Sequence, residues 1–149
     1  MSAPHRKLLI FTYYWPPAGG PGVQRFLKFC KFLPELGWDP IVITPKNGSY
    51  PYTDPSLLKD IPGNLQIFKT NSLEPFVVYN FLRGKKGKEV PVGVAAIKGN
   101  HSLFDKLSKY VRANYFIPDA RKGWNPYALK QAREIIKNNK IEAVITTGP

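Results

Sequence analysis

The sequence predicts an α/β protein, a Rossmann-like parallel sheet with helices on both faces. Apolar runs of strand length alternate with stretches of helical periodicity, the pattern of strands joined through crossover helices. The first run, Lys7 to Thr12, is continuously apolar in its middle, as a strand buried on both faces requires. Strand, glycine turn, helix and second strand then follow within about 40 residues, a βαβ unit whose crossover is almost always right-handed.

The elements follow in order. After Lys7-Leu-Leu-Ile-Phe-Thr12, the stretch Tyr13 to Gly22 holds Pro16, Pro17, Gly19 and Gly20, which rule out regular structure. A helix is expected from Pro21, since proline suits the first helical position. Val23, Phe26, Leu27, Cys30 and Leu33 share one face of it, and Arg25, Lys28 and Lys31 another. Pro34 should tighten or kink its last turn, and Gly37 is a natural stop. Pro40 to Thr44 is the second strand and Leu65 to Lys69 the third. Leu73 to Leu82 is a weaker helix. His101 to Tyr115 is a better one, with an apolar stripe of Leu103, Phe104, Leu107, Val111 and Tyr115. Asn125-Pro126 is a cap-plus-proline start for a helix to about Asn139, with Leu129, Ala132, Ile135 and Ile136 expected inward. Ala143 to Thr147 is the last strand, expected to be central, and the chain stops just beyond it at Gly148-Pro149. Ligands of open α/β sheets bind beyond the carboxyl ends of strands, so residues 1–149 are expected to be one domain, the front part of a longer protein.

Composition narrows the function classes. A chain of 149 residues has the length of one domain, and its 43% apolar and 13% aromatic content excludes intrinsic disorder. The single cysteine, Cys30, excludes a disulfide framework and a cysteine-based zinc site. Neither histidine, His5 or His101, has ligand-spaced neighbours, so no metal is expected. Leu8 to Phe11 is too short for a secretory core of about 7–15 residues, and no apolar run approaches the roughly 20 needed to span a bilayer. These features fit a reducing, cytoplasmic location. The net charge is +12, which favours an acidic partner. Half of it falls between Arg83 and Arg112, and within that stretch residues 84–100 carry Gly84, Gly87, Pro91, Gly93 and Gly99, a flexible basic loop. The adjoining 101–116 helix could rest on an anionic membrane or pack on the sheet as an ordinary amphipathic helix.

The turn Gly19-Gly-Pro-Gly22 is the richest signal. Glycines let backbone approach a ligand, and a helix N-terminus offers free N–H groups and partial positive charge to phosphate. The dinucleotide fingerprint fits badly: taking Gly20 and Gly22 as its first two glycines puts Arg25 in place of the third. The second strand ends in Thr44-Pro45, with no carboxylate for a ribose, and no Gly-x-x-x-x-Gly-Lys-Ser/Thr loop occurs. A turn that only reverses the chain is the other reading.

The stretch Tyr14-Trp-Pro-Pro-Ala-Gly-Gly-Pro-Gly-Val-Gln-Arg-Phe-Leu-Lys28, with Leu36-Gly-Trp-Asp-Pro-Ile-Val-Ile-Thr44, resembles the start of bacterial glycosyltransferases of family 4. Asn114-Tyr-Phe-Ile-Pro-Asp-Ala-Arg-Lys-Gly-Trp124 resembles the Phe-Ile-Pro-Asp-x-Arg segment of one subgroup, and the closing Ile145-Thr-Thr-Gly-Pro149 adds a third similarity. Together they cover about half the chain. The resemblance implies a GT-B architecture, two Rossmann-like domains facing across a cleft, with this chain as the N-terminal, acceptor-side domain. The donor-binding domain would lie outside it. The family's glycine turn lines the cleft near the donor phosphates, which carries that role to Gly19, Gly20 and Gly22. A family histidine near the transferred sugar would fall beyond Pro149. The implied reaction is retaining transfer from a nucleotide-sugar to a glycan or lipid-linked acceptor, with no cofactor and no metal. The 149 residues alone are expected to be inactive.

The remaining candidates have two readings each. Arg25 could reach a donor phosphate or serve a solvated helix face. Tyr14 and Trp15 could line the cleft or pack. Asp119, Arg121 and Trp124 could contact the acceptor; alternatively the first two pair to fix a loop and the tryptophan fills an interdomain face. A basic Rossmann-like module binding an anionic metabolite or nucleic acid is the competing function. The absence of an RNA-recognition or zinc-finger motif argues against a specific nucleic-acid partner.

Overall fold

Four strands, β1 (Arg6–Thr12), β2 (Trp38–Pro45), β3 (Gln66–Thr70) and β4 (Ile141–Thr147), run parallel in the order β3-β2-β1-β4. The computed structural model describes residues 5–73 and 121–147. Internal contacts divide the chain into two units, Met1–Asn71 with Pro126–Pro149, and Ser72–Asn125. The sheet belongs to the first. The expected 73–82 and 101–115 helices, apart from Leu73, and the 84–100 loop lie outside the described residues.

Alternation along β1 and β2 sends side chains to two faces. In register, Leu8 and Ile10 stand beside Pro40 and Val42, while Leu9 stands beside Ile41. The helix α1 (Pro21–Phe32) buries Val23, Phe26, Leu27 and Cys30, and these join Leu8, Ile10, Val42 and Trp15 in one apolar cluster. Leu9, Ile41 and Ile43 are buried on the opposite face. The handedness of crossovers accounts for both layers: β1 to β2 steps one way across the sheet and β3 to β4 steps back past β1, so right-handed connections put their helices on opposite faces. The second helix, α2 (Asn125–Asn138), therefore belongs with Leu9. Lys7, on the Leu9 side of the pleat, donates to Asn139 Oδ1 at 2.5 Å just beyond α2. Asn139 also donates its side-chain N–H to the Ile135 carbonyl at 3.0 Å, closing the helix.

Local signals set the end of α1 as the sequence predicts. A 3-10 turn, Leu33–Leu36, follows it at Pro34, and Gly37 adopts φ 76°, the left-handed conformation that favours glycine. The Gly37 carbonyl then accepts from Arg6 N at 2.9 Å, tying the helix exit to the start of β1.

Two expectations are corrected. Leu129 and Ile136 are not inward: they remain 52% and 49% exposed, and the buried stripe is Ala128, Ala132 and Ile135. These three follow the i, i+4, i+7 spacing of one face, whereas Leu129 and Ile136 each lie one residue, about 100° of helix rotation, to its side. β4 is not central. Among the described residues it pairs with β1 alone and alternates half-buried with exposed positions, Val144 among the exposed. Among the described residues no helix is long and apolar enough to cross a membrane.

Burial also fixes the chemistry of Cys30. Desolvation pushes its thiol from 9.0 up to about 12, so it stays protonated and unreactive at neutral pH. The native protein is expected to resist alkylation by iodoacetamide at pH 8 and to label fully in denaturant. Because the folded-state value lies above the unfolded one, this group's stabilisation is complete below pH 9.0 and is lost as pH rises toward about 12. Urea unfolding should also separate the two leucines: Leu27→Ala costs about 2–5 kcal/mol, and Leu129→Ala less than about 1 kcal/mol.

Candidate functional site

The chain leaves β1 at its carboxyl end into the turn that the glycines mark. Thr12 Oγ1 donates to the Tyr14 carbonyl at 2.9 Å, and Ala18 N donates to the Trp15 carbonyl at 2.9 Å. The Trp15 indole folds inward and is 1% exposed. Gly20 then takes φ 109°, ψ 167°, a region that only glycine enters without strain. It is the residue before α1. Pro21 has no N–H, no side chain caps the helix, and no acidic residue sits in its first turn. The N–H groups of Gly22 and Val23 consequently have no acceptor within the helix, whereas Gln24 N already donates to the Gly20 carbonyl at 3.2 Å.

A second segment clamps this turn. Gly19 N donates to the Tyr52 carbonyl at 3.0 Å, and Asp54 N to the Pro17 carbonyl at 2.7 Å, on either side of an antiparallel bridge between Ala18 and Thr53. A β-carbon on Gly19 would overlap the Tyr52 ring. Gly19 thus gives its N–H and its open face to the protein itself. Asp54 in turn begins the 3-10 helix Pro55–Asp60, accepting from Ser56 N at 3.0 Å and Ser56 Oγ at 2.6 Å. Sequence reasoning missed this clamp, although Asp54-Pro55-Ser56 carries a helix-start signal.

Aromatic rings join the loops after β1 and β2. Ser49 N donates to Tyr13 Oη at 3.1 Å. The Tyr50 ring lies 6.2 Å from that of Tyr13 and 6.1 Å from that of Tyr14. Tyr13 is buried in this cluster and Tyr14 half-buried. Of the sequence candidates, Gly20, Gly22 and Arg25 therefore share one helix start, with Tyr14 in the preceding loop. Arg25 is exposed, its guanidinium 5.2 Å from the Phe26 ring centre. Asp119 lies outside the described residues. Arg121 and Trp124 belong to the second unit, where Trp124 N donates to the Arg121 carbonyl at 2.9 Å and the tryptophan is buried.

Among the described residues, cavities lie at both ends of the sheet. One of about 220 Å³ opens at the amino ends, lined by Lys7, Asp39 and Gln66 among others. One of about 120 Å³ lies at the carboxyl ends of β2 and β3, beside Trp15. In open α/β sheets the carboxyl end is the functional one. The exposed Lys46 and Lys69 border the second cavity, and neither was singled out from sequence.

No protein-family model, no curated protein and no solved structure matches this chain.

The two flanking glycines should behave oppositely on substitution. Gly20→Ala is expected to destabilise by about 1–3 kcal/mol through its backbone. Gly22→Ala, inside the helix with nothing within 4 Å of the added carbon, should be neutral or stabilise by about 0.4–1 kcal/mol. Thermal unfolding of both variants checks the geometry of the helix start.

Proposed function

We propose that this chain is the N-terminal, acceptor-side domain of a retaining glycosyltransferase of GT-B architecture, acting in the cytoplasm on a glycan or lipid-linked acceptor. The observation that carries the reading is the uncapped start of α1. No side chain caps it, so the Gly22 and Val23 N–H groups lack an acceptor within the helix, and it follows β1, the strand from which the sheet order proceeds to β2 on one side and β4 on the other. Such a switch point is where open α/β sheets bind ligands. The resemblance of Tyr14 to Lys28 and of Asn114 to Trp124 to family 4 sequences adds the reaction class.

On this reading the bond from the anomeric carbon to the nucleoside diphosphate breaks as the acceptor hydroxyl attacks the same face of the sugar; negative charge grows on the leaving phosphate, which takes up the hydroxyl proton. The N–H groups of Gly22 and Val23 are fixed before the reaction by the Gly20 conformation. They act with the helix's partial charge of roughly +0.5 on that phosphate. Arg25, one turn along, adds a full charge. Gly19 holds the turn against Tyr52 rather than meeting the donor. Tyr14, the Trp15 wall, Asp119, Arg121 and Trp124 are assigned to the acceptor side. On this reading the donor-binding domain and the family's histidine near the transferred sugar would fall outside residues 1–149.

A second reading, a basic Rossmann-like module that binds an anionic metabolite without catalysis, draws on Lys46 and Lys69 at the same end of the sheet. Assaying the full-length protein with a panel of UDP-, GDP- and dTDP-sugars distinguishes the two. We expect hydrolysis of one donor, with kcat/KM lowered about tenfold or more by Arg25→Ala. If the full chain hydrolyses no donor in the panel, the transferase reading falls and the second remains.

A further inference from the structure

We propose that the cavity at the carboxyl ends of β2 and β3 is a binding site for a phosphate group, separate from the start of α1. Its wall contains two nearly fully buried polar residues, Trp15 and Thr44, each 1% exposed. Trp15 Nε1 and Thr44 Oγ1 are also buried side-chain atoms with no hydrogen-bond partner. Folded proteins almost always satisfy such groups, so two orphans in the wall of one cavity call for a partner from outside the chain. The indole N–H can only donate, and the hydroxyl can donate or accept. Both suit an oxyanion.

Charge points the same way. Lys46 and Lys69 line the cavity, no carboxylate does, and neither ammonium group forms an ion pair with a described residue. Two cations with an N–H and an O–H donor make a set for a tetrahedral dianion, which offers more acceptor oxygens than a carboxylate. The volume, about 120 Å³, is below the roughly 300–1,000 Å³ that encloses a drug-sized ligand, so one group is held while the rest of an ester extends past the exposed lysines. The position is built rather than incidental. Lys46 N donates to the Thr70 carbonyl at 2.7 Å, joining the ends of β2 and β3, and Gly48 leaves room for the Tyr50 ring, whose Oη would lie 2.7 Å from an added β-carbon. This site stands whether or not the chain is part of a transferase.

The test is a ¹H–¹⁵N titration of the chain with inorganic phosphate, and in parallel with glucose 1-phosphate and acetate. The three tryptophans give three indole signals, and Trp15→Phe identifies the relevant one. We expect saturable movement of the Trp15 Nε1–H signal with phosphate. Lys46→Gln and Lys69→Gln should each weaken binding about tenfold or more, and Lys59→Gln, outside the cavity, should leave it unchanged. Tighter binding of glucose 1-phosphate would identify the group as part of a metabolite, and equal binding as free phosphate; both uphold the site. A stationary Trp15 signal, binding indifferent to both lysines, or acetate bound as well as phosphate would overturn the proposal.

Discussion

The structure depends on one strand that has no free side. β1 pairs in parallel with β2 from Arg6 to Phe11 and with β4 from Lys7 to Thr12, while Leu8, Leu9 and Ile10 fill both of its faces. Backbone groups so enclosed must find partners within the sheet, and both faces must be covered by helices. One crossover puts α1 over Leu8 and Ile10, and the return past β1 assigns α2 to the Leu9 face. The strand can meet a ligand only at its ends. At its carboxyl end the chain turns through a single glycine conformation straight into a helix.

The two ends of the sheet differ in how fully their polar groups are satisfied. At the amino end, His5 Nδ1 lies 2.9 Å from Asp39 Oδ1, Lys7 meets Asn139, and the Gly37 carbonyl accepts from Arg6. At the carboxyl end the first-turn N–H groups of α1, the Trp15 indole and the Thr44 hydroxyl remain without partners. Among the described residues the contrast makes the carboxyl end the place where an outside group would gain most by binding. Of the two cavities described, the larger lies at the amino end, so size and unpartnered polar groups point to different places.

What the sequence made legible is what local physics determines. Pro21 starts α1, Gly37 stops the following turn, and the apolar run of β1 declares two-sided burial, because each depends on residues within a few positions. The clamp on the glycine turn joins Gly19 to Tyr52, and the carboxyl-end cavity joins Trp15 to Thr44 and Lys69. Those pairs lie far apart in sequence, and no periodicity encodes them. The α2 stripe differs for another reason: Leu129 and Ile136 are more hydrophobic than Ala128, but they lie to the side of the face that Ala128, Ala132 and Ile135 bury. Hydrophobicity ranks the candidates, and the angle at which the helix meets the rest of the fold decides among them. β4 shows the same limit, since an apolar pentapeptide reads alike at an edge and in the middle of a sheet.

The Tyr13–Tyr50 contact has a consequence for how the two carboxyl-end loops move. Ser49 N on Tyr13 Oη and the Tyr50 ring against both Tyr13 and Tyr14 tie the loops after β1 and β2 to each other. A group that ordered one loop would, through these contacts, also restrict the other, and a second group would then lose less freedom on binding. Two anions held on either side of this aromatic hinge would thus assist one another without any displacement of the backbone, through shared loss of motion alone.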